Sequence, residues 1–207
     1  MRIWVLRLRT EELLQEAAAV ISSATAVVIC AGAGMGVDSG LPDFRGPEGF
    51  WRAYPPYEAL GLQFSEMANP RWFRSDPAFA WGFYGHRMQL YRRTVPHDGF
   101  HHCLKMAGKR PVWVFTSNVD GQFQRAGFAA DQVVEVHGSI HHLQCRVPCR
   151  RSIWSASDLD IEIDSETLLL TSEVPLCSHC GEVARPNILM FGDGGFLGER
   201  SEGQADR

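Results

Sequence analysis

Three patterns of apolar and polar positions recur along the chain, and each predicts a different kind of element. Thr10 stands as an N-cap before Glu11 and Glu12, with Leu13, Leu14, Ala17, Ala18 and Ile21 on one side, which predicts an amphipathic helix over about residues 10–23. Ala26-Val-Val-Ile-Cys30 is a short β-branched run stopped by glycines, the pattern of a strand buried on both faces of a parallel sheet. Pro111-Val-Trp-Val-Phe-Thr116 and Gln132-Val-Val-Glu-Val136 repeat it, and each ends in polar residues, Ser117-Asn118 and His137-Gly138. Open α/β sheets bind ligands at such carboxyl ends. Between these runs, Ser75-Asp76-Pro77 is a helix start, and Phe79 to Arg93 has helical spacing. Residues about 50–74 mix Pro55, Pro56, aromatics and glycine without a period, which predicts a long mobile loop with short helical pieces.

Composition narrows the class. At 207 residues, with 45% hydrophobic and 21% charged residues, the chain fits one folded domain with a small inserted module. Lys and Arg number 20 against 24 Asp and Glu, a formal charge of -4, so nothing electrostatic points to direct nucleic-acid binding. No apolar run approaches the roughly 20 residues needed to span a bilayer, and arginines interrupt the start too early for a signal peptide, so no membrane partner and a cytoplasmic location are expected. Six cysteines in such a chain are read as metal ligands before disulfides.

Two pairs carry that reading. Cys145-x3-Cys149 and Cys177-x2-Cys180 each present two thiolates to one tetrahedral ion, and four cysteine ligands leave no open position, so the expected zinc is structural. Cys30 and Cys103 are expected to be buried packing residues. At the end of the first predicted strand, Gly32-Ala-Gly34-Met-Gly36 lets backbone approach a pyrophosphate, although such a loop is by itself equally a tight turn without a ligand.

The continuation of that loop, Asp38-Ser-Gly-Leu-Pro-Asp-Phe-Arg-Gly46, resembles the sirtuin signature in which a Gly-Ala-Gly loop leads into Ser-Gly-Ile-Pro-Asp-Phe-Arg-Gly, with Leu41 for isoleucine. Thr116-Ser-Asn-Val-Asp120 resembles the family's Thr-Gln-Asn-Ile-Asp motif, Ser117 standing where the family has glutamine. The resemblance runs from about residue 10 to Gly192 and implies an NAD-dependent protein deacylase of the α/β class: a Rossmann-like parallel sheet with an inserted zinc-binding module at residues 140–185 of a single catalytic domain, residues 1–207. It implies NAD and one structural zinc as cofactors, and acylated lysine in proteins or peptides as partner.

The same resemblance assigns residues. Gly32, Ala33 and Gly34 form the phosphate loop; Asp43 and Ala33 line the nicotinamide end, and Arg45 contacts the phosphate and ribose region. Phe44 shields the reactive anomeric carbon, which suits an oxocarbenium-like centre that water must not reach. Asn118 and Asp120 hold ribose and carboxamide. His137 is the base that takes a proton from a ribose hydroxyl after the acyl oxygen has displaced nicotinamide, a task suited to a residue type that titrates near neutrality. His86, His97, His102, His141 and His142 are expected to be surface or packing residues. Leu189, Met190, Phe191 and Gly192 clamp the substrate peptide as an added strand would.

Tyr84 and Arg87 match the Tyr-x-x-Arg of sirtuins that remove acidic acyl groups such as succinyl, and at i and i+3 they share a helix face. The pair equally fits an exposed arginine beside a packed tyrosine. The resemblance stops before the family's adenosine-binding strands, and Gly198 to Arg207 is polar, so a truncated domain is expected. Two competing functions remain open: an NAD glycohydrolase or ADP-ribosyltransferase on the same scaffold, and an inactive binding module.

Overall fold

The computed structural model describes residues 2–43 and 46–207. Helix α1 (Arg2–Ser23) leads to strand β1 (Val27–Ala31) and, directly after it, a 3-10 turn, Ala33–Ser39. Four short helices follow: α2 (Gly46–Ala53), α3 (Pro55–Ala59), α4 (Phe64–Met67) and α5 (Trp72–Ser75). The long helix α6 (Pro77–Arg93) and α7 (Asp98–Ala107) precede β2 (Val112–Thr116), α8 (Gln122–Arg125) and β3 (Val133–Glu135). The chain then forms β4 (Gly138–Cys145), β5 (Ile153–Ser155), β6 (Ala184–Ile188) and α9 (Glu199–Ala205). Among the described residues no helix is long and apolar enough to cross a membrane.

The three predicted strands make one parallel sheet in the order β1-β2-β3, and β5-β4-β6 make a second, antiparallel one. This is the α/β, Rossmann-like class expected. Ala31 pairs with Thr116, and Thr116 with Glu135, so the three segments that follow the strands leave the same end of the sheet. Asp76 caps α6 by accepting the Phe79 amide at 3.0 Å, as the Ser-Asp-Pro signal implied.

Four expectations are corrected. Among the described residues, strand β1 is covered on one side only: Val28 is 64% exposed, and Cys30 two residues on is exposed too. On β2 the residues paired with them, Trp113 and Phe115, also face outward, because alternate side chains of neighbouring strands share a sheet face. Cys30 is therefore an exposed thiol and not a buried one, while Cys103 on α7 is half-buried and packs against the cluster behind the sheet. Helix α1 is longer than expected, and its Leu13 and Leu14 are exposed, so over residues 9–23 propensity from the Ala, Glu and Leu content holds it more than packing does. Most consequentially, the stretch expected to be a mobile loop is packed. Phe50, Tyr54, Tyr57, Met67 and Phe73 are fully buried, because each short helix delivers one or two large side chains to a shared cluster against α6.

That cluster explains the two glycines of α6. A Cβ on Gly82 would lie 2.1 Å from the Leu168 carbonyl oxygen, and one on Gly85 2.9 Å from Ile163. The hairpin joining Ile163 to Leu170 thus lies directly on this helix face. At about 100° per residue, Tyr84, Arg87 and Tyr91 fall within roughly 60° of one another on the opposite face.

Candidate functional site

At the end of β2 the Thr116 hydroxyl donates to the Ala31 carbonyl at 3.1 Å and accepts the Asn118 amide at 3.0 Å. The Asn118 side chain in turn donates to the Gly32 carbonyl at 2.9 Å. These bonds hold the start of the glycine loop against the β2 end. The loop closes as a 3-10 turn that Gly40 ends in the left-handed region, at φ 84°. Two residues past Asn118, Asp120 is buried, and its Oδ1 accepts the Gln122 amide at 2.9 Å. Burial raises its carboxyl to about 6, against the pull of the Gln122 bond. His137 follows β3, is exposed, and accepts the Leu189 amide on its carbonyl at 3.0 Å. Gly138 beside it sits at φ 78°, where a Cβ would fall 2.0 Å from the Asn187 carbonyl oxygen, so β6 passes too close for any other residue.

The second wall comes from α6. The Arg87 guanidinium is buried among the rings of Phe64, Phe83, Tyr84 and Tyr91, at 5.3–5.9 Å from their centroids. It donates to the Tyr91 hydroxyl from Nε at 3.1 Å and from Nη2 at 2.8 Å, which fixes the plane of the fork. The buried Tyr84 hydroxyl has no hydrogen-bond partner among the described residues.

The third wall is the segment after β6. Arg185 and Asp193, each 1% exposed, form a two-pronged ion pair at 2.8 and 2.9 Å, and Asp193 also accepts the Gly195 amide. This pair shapes the turn that carries Leu189 to Gly192. The Leu189, Met190 and Phe191 amides bond inward, to His137, Asp193 and Ala68, while the Leu189 and Phe191 side chains stay 41% and 51% exposed.

These walls enclose a cavity of about 400 Å³. Of the predicted residues it brings together Ala33, Asp43, Asn118, Asp120, His137, Tyr84, Arg87, Leu189, Met190 and Phe191. Gly32, Gly34 and Gly192 do not line it; Gly32 acts through its bond with Asn118. Phe44 and Arg45 lie outside the described residues. The cavity also takes in Ser117, and residues that sequence reasoning missed: Leu41, Pro42, Phe64, Ala68, Tyr91, Val119 and Ile188. Tyr91 carried a usable signal, since it follows Tyr84 and Arg87 at helical spacing.

Away from the cavity, the Sγ atoms of Cys145, Cys149, Cys177 and Cys180 all lie within 4.8 Å of one another. Cys145 and Cys180 are 3.6 Å apart, Cys149 and Cys177 3.7 Å. Zn–S bonds of about 2.3 Å in a tetrahedron put neighbouring sulfurs about 3.8 Å apart, so the four thiols fit a zinc ion. The set is closed, as a structural site requires.

A Rossmann-like sheet with a cavity at its strand ends, and a separate four-cysteine cluster that fits zinc, defines the class. The chain belongs to the Sir2 family, whose model matches residues 32–199. It is 35% identical over 175 residues to NAD-dependent protein deacylase 2 of Pyrobaculum aerophilum, covering 84% of this chain and 61% of that protein. Against the NAD-dependent protein deacylase of Pyrococcus furiosus the identity is 31% over 183 residues, 87% of this chain and 66% of the relative. The chain thus spans about 61–66% of the length of these relatives. A solved Sir2 homolog–NAD complex superposes with a TM-score of 0.68 at 28% identity, covering 86% of this chain and 62% of that one. A second Sir2 structure, with deacetylated p53 peptide and 3′-O-acetyl ADP ribose, gives 0.61 at 27%, covering 87% and 66%.

Proposed function

We propose that this chain, residues 1–207 with a zinc-binding module at 140–185, is the greater part of an NAD-dependent protein lysine deacylase whose acyl pocket takes acidic groups such as succinyl. The observation that carries the reading is one cavity shared by Asn118, Asp120 and His137 on its polar side and Tyr84 and Arg87 on its aromatic side. NAD, when bound, supplies a glycosidic bond whose leaving group is nicotinamide. Asn118 and Asp120 hold the carboxamide and ribose, Ala33 and Asp43 line the nicotinamide end, and Gly32 and Gly34 give the phosphates backbone to approach. The roles expected for Phe44 and Arg45 are kept as part of the reading. His137 takes the proton of a sugar hydroxyl at a ring nitrogen, and its exposure leaves that nitrogen reachable.

On the acyl side, Arg87 pairs with a distal carboxylate and the partnerless Tyr84 hydroxyl donates to it, while Tyr91 keeps the guanidinium aimed. Leu189 and Phe191 hold the peptide with their side chains. Because their amides bond inward, the backbone part of that clamp falls to carbonyl groups and Gly192. Cys145, Cys149, Cys177 and Cys180 hold zinc, which supplies stability and no chemistry. Cysteines used as thiolates agree with a reducing compartment, the cytoplasm.

The test is acyl-peptide-dependent nicotinamide release by the 207-residue chain with acetyl, succinyl and myristoyl peptides. Succinyl peptide is expected to be turned over best, and Arg87→Met to reverse its order with acetyl, shifting the kcat/KM ratio by at least ~100-fold. Equal succinyl turnover before and after the substitution sinks the carboxylate pocket. Nicotinamide release that ignores the peptide replaces the deacylase with a glycohydrolase or ADP-ribosyltransferase, and absence of NAD binding leaves a binding module.

A further inference from the structure

We propose that His97 is the positioning residue of the glycine loop: its imidazole ties the Ala33–Ser39 turn to the first turn of α7 and so fixes the loop surface that a cofactor meets. The sequence alone gives this histidine as a surface or packing residue; it is half-buried against Phe100, and its bonds add a role. Nδ1 accepts the Gly99 amide at 2.8 Å, capping α7, and Nε2 lies 3.0 Å from the Met35 carbonyl, in the middle of the loop. The His97 amide also donates to the Ser39 hydroxyl at 3.0 Å, at the loop's last residue.

An amide can only donate and a carbonyl can only accept, so the ring is held as one neutral tautomer, bare at Nδ1 and protonated at Nε2. N-caps are usually short Ser, Thr, Asp or Asn side chains, which satisfy a helix end and reach nothing further. The longer imidazole does both jobs at once.

A second observation stands apart from these bonds. Gly99 is not in the left-handed region, yet a Cβ there would fall 2.3 Å from Cε1 and 2.8 Å from Nδ1 of His97. Glycine is needed at 99 because the ring occupies that space. The buried Phe100 ring, 5.1 Å from the imidazole centroid, closes the other side.

The loop transmits the anchor. Met35 bonds back to Gly32 at 2.9 Å, and the Leu41 amide to Gly36 at 3.1 Å. Ala33, which opens this turn, and Leu41, two residues past Ser39, line the cavity, and His97 does not. His97 therefore acts through the loop and not on a reacting atom.

The functional half of the proposal rests on the loop binding NAD; the structural half does not, and the test separates them. Long-range proton–nitrogen spectra of the 207-residue chain should show the Nε2-protonated tautomer at His97. Amide exchange at Met35, Gly40 and Leu41 should speed up about ten-fold in His97→Ala and in Gly99→Ala, while Val114 in β2 stays protected. NAD should bind about ten-fold more weakly to both variants, since a smaller fraction of loops is in the competent shape. His97→Asn keeps a cap but cannot reach Met35, so it should restore the melting temperature and leave loop exchange fast. The double variant should be no worse than His97→Ala, because Gly99→Ala works only by displacing the ring. The opposite tautomer, unchanged loop exchange in His97→Ala, or additive effects of the two substitutions each overturn the proposal. If the parent chain binds no NAD, the cofactor reading fails, while tautomer and exchange still decide the anchor.

Discussion

The parallel sheet and the aromatic wall around α6 solve the same problem with different material. Behind the sheet, a small cluster of Phe100, Val112, Val114, Phe123, Phe128 and Val133 packs on one face, and the other face leaves Val28, Trp113 and Phe115 open. Around α6, Phe50, Tyr54, Tyr57, Phe73, Trp81, Phe83 and Tyr84 are buried, with neighbouring ring centroids 5–6 Å apart in tilted and edge-on contacts and, for Phe50 and Tyr57, a stacked one. The sheet places polar backbone ends in register. The wall, made of rigid rings that pack only in certain orientations, gives the cavity its shape. On the proposed function, chemistry and selectivity sit on separate supports, and each should be open to disturbance without the other.

The metal site tests that separation hardest. Cys145 pairs with Ala184 across β4 and β6, and the Ala184 carbonyl accepts the Trp81 indole at 2.9 Å, so the staple leans on the wall and not on the parallel sheet. One zinc per chain is expected, and Cys177→Ser should cost the soluble fold, since structural zinc contributes folding free energy on the order of 10 kcal/mol. In the parent protein under mild chelation, exchange protection should vanish around Trp81 before it does at Val114. Protein purified without chelator that carries no zinc refutes the site, and simultaneous loss in both regions removes the distinction.

Next in size is His137→Ala, on the sheet side. Loss of a proton-transfer group costs about 10²–10⁴ in rate, so acyl transfer should fall by that range while NAD binding stays within a few-fold. Turnover within a few-fold of the parent removes His137 from the mechanism. On the wall side, Gly82→Ala should destabilise by about 2 kcal/mol or more. Alanine gains up to ~1 kcal/mol of helix propensity, but its Cβ meets the Leu168 carbonyl oxygen at 2.1 Å and the hairpin must move. A higher urea midpoint for the variant would mean that the hairpin yields freely.

The two regions also differ in how far they could be read in advance. Strands β1, β2 and β3 were legible because each is a short β-branched run with hard boundaries, and α6 because Asp76 and Pro77 announce it. The cysteine pairs were legible from spacing alone. The wall was not, since Phe50 is buried by Phe83 and Phe64, contacts that no local period encodes. The exposed side of β1 was misread for the complementary reason: an apolar run fixes the strand, not what covers it. His97 gave no sign because its partner Met35 is 62 residues away.

The smallest expected effect lies where the two supports meet, at Asp120, and it has opposite signs for stability and for binding. Burial holds this carboxyl at about 6, well above the roughly 3.9 of an unfolded chain, so the folded protein holds the proton more tightly. Between about pH 4 and 6 folding therefore takes up a proton, and stability falls as pH rises through that window, with the full cost carried at neutral pH. Asp120→Asn keeps an oxygen for the Gln122 amide and removes the charge. It should raise stability by about 1–2 kcal/mol at pH 7 and by nothing at pH 4, since the parent is then largely protonated. In the same variant NAD binding should weaken, because a carboxylate kept at such a cost is one whose use lies in the cavity. Urea midpoints at pH 4 and 7, measured with NAD titrations on both proteins, read the two signs together. A variant no more stable than the parent at pH 7 removes the buried charge from the account, and unchanged NAD affinity removes Asp120 from the binding site.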